Sequence, residues 1–249
     1  MTPDMWQNYL RKCLEEMLLP SSKDAADNFF KFHKFLKIWN SKFNLTAITD
    51  WEDSVNRHYL DSASVSLGYP FANRIDRGDI QVLDVGSGAG FPGIPLKILF
   101  PEIQLTLLDS VRKKTEFMKR ASSHLKLEGT YVKRGRAEIL ARDDRHREVY
   151  DLVVARAVSE LNALVELTIP FCKIGGYVIA MKGRKAHSEV STAIEAIEQL
   201  GGELDDIIDC NESHGFLKGH LVVISKIAST PERFPRRPGV PTKRPLSSN

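Results

Sequence analysis

The sequence predicts an α/β protein: a mostly parallel seven-stranded sheet with helices on both faces and a helical N-terminal extension. Three observations carry this. From residue 80 onward, short β-rich apolar runs alternate with helical stretches. The last two runs, LDDIIDC (204–210) and HLVVISK (220–226), lie too close for a crossover helix, so they should pair antiparallel. Before residue 70 the apolar side chains recur at helical spacing.

The elements follow in order. Trp6, Leu10, Cys13, Leu14, Met17 and Leu18 mark one face of a first helix. Phe29, Phe32, Leu36, Trp39 and Phe43 form an aromatic stripe on a second, read as core, with Asp24 near its N-cap. NLTAITD (44–50) is a polar turn, and a third helical stretch runs from about 51 to 67. Strands are expected at 81–85, 104–110, 130–135, 151–157 and 176–183, separated by helices near 93–99, 111–127, 136–142, 159–170 and 186–200. The proline-rich end, TPERFPRRPGVPTKRPLSSN, carries Arg233, Arg236, Arg237, Lys243 and Arg244 against one acid, Glu232. Such composition predicts an extended tail outside the core, serving either solubility or as a clamp for phosphates. The organisation is therefore a helical cap (1–70), a sheet domain (71–229) and a basic tail (230–249).

Composition bounds the function. With 42% hydrophobic and 27% charged residues, the 249-residue chain can bury an ordinary core. No apolar run approaches the roughly 20 residues a membrane span needs. The N-terminus lacks the features of a signal or transit peptide, so a cytoplasmic protein without membrane partners is expected. Cys13, Cys172 and Cys210 have no metal-ligand spacing, which predicts reduced core thiols and no metal. The net charge is +3, and the tail alone carries +4.

The chemistry centres on DVGSGAGFPG (84–93). GAGFPG matches the dinucleotide pattern G-x-G-x-x-G, but its placement is wrong, because the glycines directly after the strand are Gly86, Gly88 and Gly90. Asp84, two residues ahead, is a poor neighbour for a pyrophosphate and a good one for a cationic amino group or sulfonium. Asp109, ending the second strand, can accept from two ribose hydroxyls in NAD and S-adenosylmethionine sites alike. The terminal antiparallel hairpin favours the latter, as in class I Rossmann-like methyltransferases. No Lys-Ser or Lys-Thr follows the glycines, which excludes a P-loop.

RHYLDS (57–62), DVGSGAGFPGIPL (84–96), LLDSVRKKTEF (107–117), GRAE (135–138), ARA (155–157), MKG (181–183), HLVVI (220–224) and FPRRPGVPTKRPL (234–246) together resemble the ribosomal RNA small subunit methyltransferase G family. GFPGIPL is the most specific of these. The resemblance implies transfer of a methyl group from S-adenosyl-L-methionine to guanine N7 in small-subunit (16S) ribosomal RNA. Guanine N7 carries a lone pair and no proton, so no general base is expected and catalysis should rest on alignment and electrostatics.

Roles then follow by position. Gly86, Gly88 and Gly90 admit the methionine part beside Asp84, Phe91 should lie against the cofactor, and Asp109 takes the ribose. Ala137 and Glu138 should border the adenine. Arg156 faces the same crevice, and His58, Arg156 and Lys182 are candidate positioning residues at the reaction centre. His58 and Asp61, about one helical turn apart, either brace the cap or touch the target base, with Asp61 expected to brace. The target guanine should be unpaired or pulled from its stack, because the major groove of A-form RNA is deep and narrow. Phosphate contacts are expected from Arg57, Lys182, Arg236, Arg237, Lys243 and Arg244. The substrate would be 16S rRNA or a small-subunit assembly intermediate, met by a monomer. A methyltransferase for small molecules or proteins, and a non-catalytic S-adenosylmethionine-binding assembly factor, are the competing readings.

Overall fold

A computed structural model describes residues 2–48, 50–69, 71 and 80–246. The expected boundary near residue 70 thus lies outside the described residues.

Helix α1 (Pro3–Glu16) starts where the Thr2 hydroxyl accepts from Met5 N–H, and α2 (Lys23–Phe43) is capped by Ser22 rather than Asp24. The predicted α1 face is buried except Leu18, which is 93% exposed where the backbone turns left-handed after the helix. In α2, Phe29, Phe32 and Leu36 are core, whereas Trp39 is half-buried and Phe43 is exposed. The third stretch is helical as expected but not regular. Between Trp51–Ser54 and Asp61–Ala63, the residues Val55–Leu60 form a π-helical turn. Such turns add a residue to the helix and re-aim its side chains.

The sheet comprises β1 (Gln81–Val85), β2 (Gln104–Asp109), β3 (Thr130–Arg134), β4 (Tyr150–Arg156), β5 (Cys172–Lys182), β6 (Gly202–Asp209) and β7 (His220–Lys226). Their order is β3-β2-β1-β4-β5-β7-β6, with β7 antiparallel to both neighbours. Helices α3 (Gly93–Leu99), α4 (Arg112–His124), α5 (Ala137–Leu140), α6 (Leu161–Thr168) and α7 (Ala186–Gln199) cover the faces. Alternation along the strands feeds two cores: Leu152 and Val154 face the cap side, Val153 and Ala155 the opposite one. The cap shares the first core through Phe32, which meets Phe91 at 5.5 Å and Phe117 at 6.3 Å. All three cysteines are buried and free, and burial pushes the Cys172 and Cys210 thiols up to about 12 and 11. They sit in the fold as core residues.

The tail corrects the sequence-based expectation, because it is packed rather than extended. Phe234 is buried, and a short helix α8 (Val240–Lys243) follows. Prolines leave carbonyls without ladder partners, and two arginines of the segment between α5 and β4 use them. Arg147 donates to the carbonyls of Thr230 (2.7 Å) and Phe234 (3.0 Å), and Arg142 to that of Pro235 (2.6 Å). Arg236 is no phosphate clamp: its Nη2 lies 2.6 Å from Oε2 of the fully buried Glu166 in α6, and its own N–H donates to Oε1. Removing one partner strands a buried charge, at a cost of about 3–5 kcal/mol. Arg236→Ala should therefore lower urea stability by about 3 kcal/mol, while Arg237→Ala at the exposed neighbour should change it by about 0.5 kcal/mol or less. Equal, small effects of the two in urea melts would show that the tail is not anchored here.

Candidate active site at the carboxyl edge of the sheet

The strand order reverses between β1 and β4, and the crevice at their carboxyl ends is where such sheets bind ligands. Asp84 on β1 is fully buried. Its Oδ2 accepts from Gly93 N–H at 2.9 Å, but Oδ1 has no partner among the described residues. Burial pushes this carboxyl up to about 7, against the pull of the Gly93 amide, Ser87 and Arg156. An orphaned buried carboxylate oxygen is a demand for a cation.

The loop after it turns through Gly86 at φ +74°, where a Cβ would sit 2.7 Å from Val158 Cγ2. Asp109, at the end of β2, holds this loop from the side. Its Oδ2 accepts from Gly88 N–H (3.0 Å), its Oδ1 from Val111 N–H (2.8 Å), and Lys114 Nζ stands 3.7 Å away. A cleft of about 310 Å³ opens here, lined by Gly86, Asp109, Ala137, Glu138, Val158 and Thr242. That volume suits a small ligand. Burial pushes the Glu138 carboxyl up, but Arg136 and the Gly239 amide outweigh it and hold it below its usual range.

A second cavity of about 850 Å³ is lined by Arg57, His58, Asp61, Arg156, Met181 and Lys182, among others. Ala157, with a left-handed φ of 54°, is the one described residue lining both cavities. Arg156, at the end of β4, ties the cap to the sheet. Its Nη1 donates to Asp61 Oδ2 and to the Arg57 carbonyl, each at 2.9 Å, and its Nη2 donates to His58 Nδ1 at 3.3 Å. The tautomer follows: Nε2 carries the proton and donates to Thr46 Oγ1 at 2.9 Å. The π turn makes this possible by presenting His58 and Asp61 to one guanidinium. Burial, reinforced by Arg156, pushes the His58 imidazole down to about 3, so it stays neutral.

Two placements here differ from expectation. Phe91 does not border the 310 Å³ cleft; it is buried under the His58 ring, with centroids 4.4 Å apart and planes 13° from parallel. Cap packing on the loop captures it. Lys182 is engaged rather than free for a phosphate, bonding the Ser159 carbonyl (2.8 Å) and Glu189 (2.5 Å). It fastens the loop after β4 to α7. Arg57 is exposed, with Asp53 at 3.5 Å. Arg237, Lys243 and Arg244 are exposed on the packed tail.

The sequence reading missed Ala157, Thr242, Lys114 and the Asp209–His220 pair (3.6 Å) in the larger cavity. Position alone could have marked Ala157 and His220, next to strand ends at the crevice. Nothing local marked Thr242, because the tail folds back from outside the domain. Among the described residues no group of His, Cys, Asp and Glu could hold a metal ion.

A family model described as "GidB: rRNA small subunit methyltransferase G" matches residues 25–217. A ribosomal RNA small subunit methyltransferase G from Alkaliphilus metalliredigens is 44% identical over 237 residues, 95% of this chain and 97% of that one. One of the same name from Clostridium tetani is 43% identical over 241 residues, 97% of this chain and 99% of that one. Among solved structures, the bifunctional kinase-methyltransferase WbdD superposes with a TM-score of 0.52 at 16% identity, covering 80% of this chain and 48% of that one. This last likeness speaks for the fold alone.

Proposed function

The chain belongs to the rRNA small subunit methyltransferase G family, and on that premise we propose that it methylates guanine N7 of small-subunit (16S) ribosomal RNA. The methyl donor is S-adenosylmethionine, which supplies an electrophilic methyl group on a sulfonium. The residues present fit that donor: among the described residues Asp84 Oδ1 has no partner, and it would receive the amino group. Asp109 would hold the ribose while keeping the Gly88 amide in place, and Ala137 and Glu138, which line the same cleft, would border the adenine.

The observation that carries N7 is that the two groups Arg156 gathers in the larger cavity, His58 and Asp61, are not free to serve as a base. His58 is held neutral with both ring nitrogens engaged, and Asp61 is bound to Arg156. A base that brings its own in-plane lone pair needs no deprotonation. An exocyclic amine would need a proton acceptor once it is methylated. Arg156 works through His58 and Asp61 as a positioning residue for the wall of the cavity. Lys182 does the same for the loop after β4.

The test is incubation of the protein with unmodified small-subunit rRNA and S-adenosylmethionine, followed by mass mapping. Reduction and aniline cleavage then locate any N7-methylguanine. One cleaved guanine is the expected result, and a methyl group elsewhere overturns the assignment. Fragments offering the target unpaired should react faster than paired ones.

The exposed tail cations are assigned to phosphate contacts. Deleting the tail would also uncover Glu166, so substitution is the cleaner probe. Replacing Arg237, Lys243 and Arg244 with alanine should weaken RNA binding and lower the log–log salt slope by about 2, at roughly 0.7 per single-strand contact. An unchanged slope in filter-binding titrations removes the tail from the interface.

A further inference from the structure

The largest charge asymmetry in the molecule is not the tail. Between residues 28 and 43, α2 carries Lys31, Lys34, Lys37 and Lys42 and no acid. From 112 to 126, α4 and the residues after it hold six lysines and arginines against the single acid Glu116. The two segments together carry +9 in a chain whose net is +3, so the remainder is −6.

The helices lie side by side and run antiparallel. Phe43 and Lys113 meet at one end, where Lys113 Nζ donates to the Phe43 carbonyl at 3.0 Å. Trp39 meets Phe117 midway, and Phe35 stacks on His124 at the other end, centroids 4.8 Å apart. The seam between them is thus aromatic, and adjoining hollows are lined by Lys31, Lys34, Lys119, Arg120 and Lys126. Ile38 is 62% exposed beside it. Among the described residues, Lys31, Lys34, Lys119 and Lys126 make no ion pair. Thirteen residues of α4 extend the seam over about 20 Å.

Its upper end reaches both cavities. Lys114 and Val111 line the smaller one, and beyond Phe43 the chain runs through Thr46, bonded to His58, to Ile48 in the larger. A strand whose base enters the larger cavity can therefore continue onto the seam. Clustered cations with interleaved aromatic rings are the composition that tracks a single-stranded phosphate backbone.

We infer that the α2–α4 seam is an RNA-docking track, which carries the backbone of the substrate rRNA away from the target guanine. The inference rests on the rRNA reading above and adds to it a surface that the tail does not share.

The test is the quadruple variant Lys31→Gln, Lys34→Gln, Lys119→Gln, Lys126→Gln, compared with the same four positions changed to arginine. On a long rRNA fragment, the glutamine variant should bind about tenfold more weakly or worse, with the salt slope lowered by about 3. KM should rise while kcat holds. On a short fragment limited to the target loop it should match the parent, and S-adenosylmethionine affinity and melting temperature should be unchanged. The arginine variant should bind as the parent does. Parent-like binding of the long fragment by the glutamine variant overturns the track, as does equal loss on short and long fragments. Loss on small-subunit particles but not on naked rRNA assigns the seam to a ribosomal protein and overturns it too. If the parent protein methylates no rRNA, the functional reading falls instead, and binding of the long fragment still judges the seam.

Discussion

Asp109→Ala is expected to raise the dissociation constant for S-adenosylmethionine by about 100- to 1,000-fold. The carboxylate accepts the Gly88 amide on one oxygen and the Val111 amide on the other. It therefore pins the glycine loop and the entry to α4 while facing the cleft. Alanine leaves amides without an acceptor, at about 1–3 kcal/mol for a buried group, and removes the ribose anchor besides. Together these reach about 3–4 kcal/mol, which is the stated factor. Asp109→Asn keeps one acceptor but points an amide donor at a backbone donor, and should fall between. Calorimetric titration with S-adenosylmethionine and its demethylated product checks both variants. Binding within threefold of the parent would remove Asp109 from the cofactor site.

The second large effect belongs to Asp84, where stability and binding move in opposite directions. Its carboxyl ordinarily titrates at 3.8 and is raised to about 7 in the fold by burial. Between those values the folded chain holds a proton that the unfolded chain has released. The stability it contributes therefore falls as pH climbs from about 4 to 7 and stays low above. Asp84→Asn carries no such penalty, so its melting temperature should exceed the parent's at pH 8 and approach it near pH 4. Binding runs the other way. A cationic amino group needs the carboxylate ionised, so parent affinity should improve about tenfold per unit up to pH 7 and then level. Below pH 7 the ligand's own amino group, of the ordinary α-amino type at about 8, stays protonated and does not confuse the slope. Asp84→Asn should bind about 100-fold more weakly with a flat profile, a charge-assisted contact being lost. A variant that keeps both the affinity and the slope would place the amino group elsewhere.

The parts of this molecule written in short spans of sequence were legible there. The strands at 81–85 and 220–226, the helix at 93–99 and the reversed β7 follow from local periodicity and a loop too short for a crossover. The turn after β1 was legible as well, because a strand end running into a tight loop calls for glycines, and Gly86, Gly88 and Gly90 all adopt left-handed backbones there. What was not legible depends on partners remote in sequence. Arg142 and Arg147 recruit the tail from more than eighty residues away, and no local pattern marks a carbonyl as about to be used. The π turn leaves the apolar spacing of Val55, Tyr59 and Leu60 as it would be in an α-helix, so periodicity missed it. Phe91 and Lys182 were placed correctly along the chain, but the cap claimed one and Glu189 the other.

Ala157 has a consequence of a different kind. It adopts a left-handed backbone that glycine would reach more cheaply, and it borders both cavities. Its side chain is a single methyl group with no rotamer to swing aside. The wall it gives to each cavity is therefore set by backbone torsion alone. A wider side chain would add strain and intrude on both cavities in one step. Where the two cavities share a wall, its shape is a property of the main chain.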